Sequence, residues 1–291
     1  MSSKKSVQSA AMEKEKEAEH KKTLYVSDLD GTLLRSGQFT SDYTNRVINS
    51  LTEKGIKFSY ATARSLVTAK KVTKGLHARI PLIVYNGAFV MDNETEEILI
   101  ANYFDESVRE VFEDLLYHEV YPIVYSYIEG TEKFSFLPDK CSKGAREFLE
   151  TRKGDRRSNP VSTSEQLISG NCFYITCIDD PQKLEPLYEK YKDSYHAVYQ
   201  KDIYSGEQWL EIMPQEASKS NAALQLKKLL QCERMTVFGD GRNDIDLFEA
   251  ADECYAVENA VDELKAAATG VIGSNDEDAV AEWLETMAVK K

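Results

Sequence analysis

Apolar and polar positions along the chain follow two rhythms, the first of which breaks off and later returns. Short β-type runs lie at 24–27, 56–61 and 81–85, and amphipathic stretches separate them. Val47, Ile48 and Leu51 form one helical stripe, opened by Ser41-Asp42-Tyr43 and closed by Gly55; 65–75 reads as a second helix. Strands alternating with helices predict a parallel α/β sheet. Runs at 89–91 and 98–100 flank Asp92-Asn93-Glu94 and predict a hairpin.

From about Asp105 the pattern changes. Val108, Val111, Phe112, Leu115 and Leu116 give a helix; 121–127 and 133–137 read as paired strands, and 143–151 as a helix. A polar loop over 152–164 leads to a strand at 172–178, a helix at 181–191, and strands at 195–200 and 208–213. After Pro214 the first rhythm resumes. A helix is expected over 217–230 with Leu224, Leu226 and Leu229 on or near its buried side, then a strand at 235–239 and a helix at 245–251. An edge strand at 255–257 and helices at 261–269 and 278–287 complete the chain. The fold class is therefore α/β, a Rossmann-like parallel-sheet core over 22–103 and 214–291 with an α+β cap domain inserted at 104–213.

Residues 1–21 are rich in Lys, Glu, Ser and Ala and read as a disordered leader; no apolar stretch follows the basic start, as a signal peptide requires. The 291 residues include 36 basic and 49 acidic side chains, a net charge of -13. That field opposes nucleic acid and anionic membranes, and no apolar run is long enough to span a bilayer. The five cysteines form no CxxC pair and read as small buried hydrophobes of a reducing, cytoplasmic compartment. The four histidines show no metal-ligand spacing.

The most informative run is Asp28-Leu29-Asp30-Gly31-Thr32, which follows the apolar strand without a break. Two carboxylates at a buried strand end are costly, because each raises the other's pKa. A chain keeps such a pair where a cation and a reaction need it. Three more polar clusters stand at strand ends or a helix start: Thr62-Ala63-Arg64, Lys219, and Gly239-Asp240-Gly241-Arg242-Asn243-Asp244. Open α/β sheets bind ligands at such ends. Together the clusters describe an anionic metal site ringed by phosphate donors.

In this order the four clusters resemble the haloacid dehalogenase superfamily on its phosphatase branch, with DxDGT at Asp28 and GDGxND at Gly239. Asn86-Gly87-Ala88, Glu211-Ile212-Met213-Pro214 and Ser274-Asn275-Asp276-Glu277-Asp278 resemble its Cof-type subgroup, and the insertion matches a type-two (IIB) cap. The resemblance implies a Mg²⁺-dependent phosphatase of small phosphomonoesters, sugar phosphates first, working through an aspartyl-phosphate. Asp28 would be the nucleophile, and Asp30 the acid that protonates the leaving oxygen and then activates water. Asp28, the Asp30 carbonyl and Asp240 would hold the metal, with Asp244 behind them orienting its waters or Lys219. Lys219 would neutralise the phosphoryl group. Thr62 would offer its hydroxyl and backbone N–H to a phosphate oxygen. The family pattern has Gly where this chain has Ala63, and Lys-Gly where it has Lys219-Ser220.

Arg64 either steers substrate or is a solvated helix-start arginine. Asn86 and Gly87 either face the phosphate or form a turn, and Asn243 would brace the motif loop beside the phosphate. The expected partner is a small phosphorylated metabolite, with no nucleic acid or membrane, and the chain itself a monomer or weak dimer. Two alternatives stand beside hydrolysis: a phosphomutase or phosphotransferase, and a non-catalytic phosphometabolite-binding regulator.

Overall fold

A computed structural model describes residues 22–77, 79–201 and 206–289, together with His20. The leader expected over 1–21 otherwise lies outside these residues. The chain divides into two compact units, one built from the segments up to Ala101 and from Ser218 onward, the other from Asn102–Ala217.

The first segment runs β1 (Thr23–Asp28), α1 (Asp42–Glu53), β2 (Lys57–Ala61), α2 (Leu66–Val72), β3 (Pro81–Val84), β4 (Phe89–Asp92) and β5 (Ile98–Ala101). Ser41 caps α1 by accepting from Thr44 N, and Val47, Ile48 and Leu51 are buried as their spacing predicts. Ser65 caps α2 in the same way. β4 runs antiparallel between β3 and β5, giving the expected hairpin.

The second unit contains α3 (Val108–Tyr117), β6 (Ile123–Ile128), β7 (Thr131–Phe136), α4 (Lys143–Glu150), β8 (Ser158–Pro160), β9 (Asn171–Ile178), α5 (Pro181–Tyr191), β10 (His196–Lys201) and β11 (Gln208–Met213). Its sheet has the order β10-β11-β9-β6-β7-β8. Val111 and Phe112 of α3 and Leu184 of α5 pack with Ile175 and Leu210 in one cluster. Ala145 of α4 joins Ile123, Phe134 and Ile178 in another, with Phe148 and Trp209 against it. The polar stretch expected to be loop contains β8, which pairs parallel with β7. Three polar or imino residues carry no apolar alternation, so the main-chain pairing left no mark in the sequence.

The chain then returns with α6 (Lys219–Leu229), β12 (Arg234–Gly239), α7 (Ile245–Glu249), β13 (Glu253–Ala256), α8 (Asp262–Ala267), β14 (Gly270–Val271) and α9 (Ala279–Val289). These strands complete a sheet of order β14-β13-β12-β1-β2-β3-β4-β5, parallel from β14 to β3. Two expectations are corrected here. β13 is not an edge, because β14 pairs outside it, just past the stretch read as helix over 261–269. On α6 the buried positions are Lys219, Ala222, Ala223 and Leu226, whereas Leu224 and Leu229 are 43% and 50% exposed. The spacing 219, 222, 223, 226 is one helical face, and the two leucines fall outside it.

β1 is buried at all six positions and sits where the strand order reverses: β2 and β3 lie to one side, β12 and β13 to the other. Ligands of open α/β sheets bind beyond the carboxyl ends at such a reversal.

Candidate active site

Three neighbouring strands end together. Asp28 pairs in register with Ala61 of β2, and Ser27 with Phe238 of β12, so Asp28, Thr62 and Asp240 emerge along one edge. Beyond Asp28 the chain makes a wide turn over Leu29–Leu33, where Gly31 takes φ +78°. A Cβ on Gly31 would lie 2.4 Å from Asp240 Oδ2, so only glycine lets the turn approach that carboxylate. Thr32 Oγ1 donates to Asp240 Oδ1 at 2.9 Å.

Lys219 opens α6 behind Ser218, whose hydroxyl accepts from Asn221 N. Its ammonium is 3% exposed and donates to Asp28 Oδ1 at 2.5 Å and to Asp244 Oδ1 at 2.8 Å. Asp244 Oδ2 accepts from the N–H groups of Asp240 and Gly241, each at 3.2 Å. Carboxylate oxygens of Asp28, Asp240 and Asp244 lie within 4.8 Å of one another. One cation therefore faces three buried or half-buried acids. Burial pushes the Asp28 pKa well up; Lys219 pulls it down, and Asp244 and Asp240 push it up again. Burial and the Asp244 charge raise Asp240 to about 6. Burial works against the Lys219 charge, but Asp244 and Asp28 more than offset it and its pKa is raised.

This donor set fits a divalent hard cation. All its atoms are oxygens, and one ammonium leaves two of three negative charges unbalanced. Asp244 has both oxygens engaged by protein donors. Asp28 and Asp240 each keep Oδ2 without a hydrogen bond among the described residues.

The Asp30 side chain stands outside this cluster. Arg64 grips it side-on, with Nε at 2.8 Å from Oδ2 and Nη2 at 2.5 Å from Oδ1. The Thr62 hydroxyl lies 3.5 Å from Oδ2, and Gln38, at the tip of a small 35–39 hairpin, bonds the same guanidinium. Arg64 is thus an ion-pair partner of Asp30 rather than a solvated helix start. The Thr62 N–H expected to face phosphate instead donates to Ile83 O at 3.0 Å; β3 continues past the end of β2 and takes it. Ala63 is exposed and not among the residues with positive φ, so this loop has no need of glycine.

Asn86 and Gly87 form the buried turn between β3 and β4, with φ of +52° and +98°. A Cβ on Gly87 would sit 2.2 Å from Ser218 O, so the turn butts against the start of α6. Asn243 is exposed beside Gly241 and makes no hydrogen bond to the carboxylate cluster. Two contributors had no role in the sequence reading. Thr32 lay inside the DxDGT run, and Asn259, which donates to Gly31 O at 2.7 Å, follows the end of β13. The strand-end rule that singled out Asp240 also reaches Asn259.

Residues 25–284 match the haloacid dehalogenase-like hydrolases, and the chain belongs to that family. It is 28% identical over 279 residues to the 5-amino-6-(5-phospho-D-ribitylamino)uracil phosphatase YwtE of Bacillus subtilis, covering 89% of this chain and 96% of that protein. Among solved structures it is similar to TM0651 of Thermotoga maritima, at 27% identity and TM-score 0.71, with 90% and 96% of the two chains covered. A haloacid dehalogenase-like hydrolase of Bacteroides thetaiotaomicron shares the fold at 21% identity and TM-score 0.71, with coverage of 91% and 99%. No helix among the described residues is long and apolar enough to cross a membrane.

Proposed function

We propose that the chain is a Mg²⁺-dependent cytoplasmic phosphatase of small phosphomonoesters. The observation that carries this is the buried Asp28–Lys219–Asp244 relay beside Asp240, at the carboxyl ends of β1 and β12. The Asp28 carboxylate attacks phosphorus in line; its new O–P bond forms as the ester P–O bond breaks. Asp30 gives its proton to the leaving oxygen, then takes one from the water that attacks the phospho-aspartate, and phosphate leaves as Asp28 is restored. Lys219 favours the ionised form of Asp28 against the effect of burial and stands against the charge of the transferring group. The Arg64 ion pair that holds the Asp30 carboxylate outside the cluster opens as Asp30 turns to the leaving oxygen. Asp28, Asp240 and the Asp30 carbonyl would hold Mg²⁺, which would supply neutralisation of the phosphoryl charge; Asp244 fixes Lys219.

Sugar phosphates and related polyol phosphates are the substrate class we favour. The B. subtilis relative is named for the phosphate ester of a ribityl chain, so that compound belongs in the first panel. The test is phosphate release from such a panel with Mg²⁺ and with EDTA. Metal-dependent release is expected, and Asp28→Asn should lower it at least 10³-fold, an order-of-magnitude figure for removing a nucleophile. Release that survives in Asp28→Asn overturns the mechanism. A sugar phosphate isomer appearing without free phosphate would make the chain a mutase instead.

A further inference from the structure

The loop that bears Asp28 and Asp30 is fastened from outside by two asparagines that the proposed chemistry does not use. Asn259 Nδ2 donates to Gly31 O at 2.7 Å, and its Oδ1 accepts from Asn275 N at 3.1 Å. Asn275 Nδ2 in turn donates to Leu34 O at 2.8 Å. The carbonyls at the middle and exit of the Leu29–Leu33 turn are thus joined through one two-residue bridge. The turn's own closure is Leu34 N to Leu29 O at 2.9 Å, and Gly31 within it has φ +78°.

The neighbouring residues extend the bridge. Asp276 accepts from Ser36 N and Ser36 Oγ at 2.8 and 2.7 Å. Asp278 is buried and has φ +59°; it accepts from Arg35 Nε at 3.1 Å, Arg35 Nη2 at 2.5 Å and Thr44 Oγ1 at 3.1 Å. The segment before α9 therefore grips Leu34, Arg35 and Ser36 in succession.

We infer that Asn259 and Asn275 are positioning residues that orient the Asp30–Gly31 region against the Asp28–Asp240 carboxylates. Gly31 O belongs to the peptide that follows Asp30 by one residue, and Gly31 has no Cβ to limit its rotation. Backbone freedom of this kind is what an external donor must remove. Neither asparagine touches the carboxylate cluster, so each acts through the loop. The inference deepens the proposed function and rests on it for its catalytic consequence; the brace itself does not.

Asn259 is the better residue to change, because it is exposed and Asn259→Ala leaves no buried cavity. Amide exchange by mass spectrometry and steady-state kinetics should be read on the full chain with Mg²⁺, beside wild type and Asp28→Asn. Exchange over residues 29–34 should quicken at least about fivefold in Asn259→Ala while β12 and α6 stay unchanged. With p-nitrophenyl phosphate, kcat should fall about 10–100-fold and KM stay within about twofold, as for residues that orient a reacting group from behind. A structural role alone would lower the amount of folded enzyme and leave its kcat intact. Unchanged exchange overturns the brace whatever the activity. Faster exchange with wild-type kcat overturns the positioning role. If wild type releases no phosphate, the proposed function falls and the exchange result alone decides the brace.

Discussion

One ammonium, Lys219, lies between two carboxylates, and a third, Asp240, completes their group. Removing Lys219 would leave buried acids without their cation, a loss of roughly 3–5 kcal/mol. Even with Lys219 present the balance is short of positive charge, and the acids answer by holding protons. Asp28 is raised well above the ordinary value and Asp240 to about 6. In the metal-free native chain Asp240 therefore keeps a proton that it loses on unfolding between the ordinary carboxylate range and about pH 6, and the stability contributed through this group falls as pH rises through that window. Mg²⁺ competes with those protons, so it binds better once they have left. The expected outcome is a Mg²⁺-induced rise in Tm that is larger at pH 7.5 than at pH 5, and absent in Asp240→Asn. Thermal melts with Mg²⁺ and with EDTA measure it; an equal rise at both pH values would remove these carboxylates from metal binding.

At the scale of elements, the start of α6 is set by a glycine in another turn. Gly87 has φ +98°, and its missing Cβ is the space that Ser218 O occupies. Ser218 caps the helix whose first residue is Lys219. Gly87→Ala should cost roughly 3 kcal/mol, from the positive φ and from displacing Ser218, and should lower kcat by moving the Lys219 ammonium. Chemical denaturation and phosphate release test both effects; a variant with wild-type stability and rate would free Gly87 from this role. Ala63→Gly, which restores the family pattern at the other loop, should cost under about 1 kcal/mol and gain no activity, since that backbone needs no glycine. The difference between these positions explains how far the sequence could be read. Strands bounded by turn residues were legible because burial on both faces leaves long apolar runs, and β1, β2, β3 and β12 all stand where those runs are. β8 and β14 were not, because they are held by main-chain pairing with few or no apolar side chains. Leu224 and Leu229 misled because apolarity alone does not say which helical face is buried. The fate of the Thr62 N–H and the grip of Asn259 depend on which strand runs past which, and no spacing records that.

Over the whole molecule the chain leaves one unit at Asn102 and returns to it at Ser218, and each unit contains a sheet of its own. The return of the α/β rhythm after Pro214 was legible, and Glu211 stood out only as part of a subgroup motif; its burial was not legible, because an acid in a strand looks like any alternating polar position. Glu211 lies in β11, paired with Thr176 of β9 and Val198 of β10, and is 8% exposed. Burial lifts its pKa to about 7, against the opposing hydrogen bond from Tyr174. The sign follows from proton counting. Between 4.5, its ordinary value, and about 7, the native chain keeps a proton that the unfolded chain has lost, so rising pH destabilises the fold through this group, by roughly 3 kcal/mol once pH exceeds 7. Glu211→Gln keeps an acceptor for Tyr174 and has no proton to lose. The variant should match wild type near pH 5 and exceed it at pH 8, with the difference in unfolding free energy growing across the interval. Denaturant titrations of both proteins at pH 5, 6.5 and 8 measure that difference directly. A difference constant with pH would mean that the Glu211 carboxyl is already ionised in the folded chain at pH 5, and that its burial costs the fold nothing that titrates.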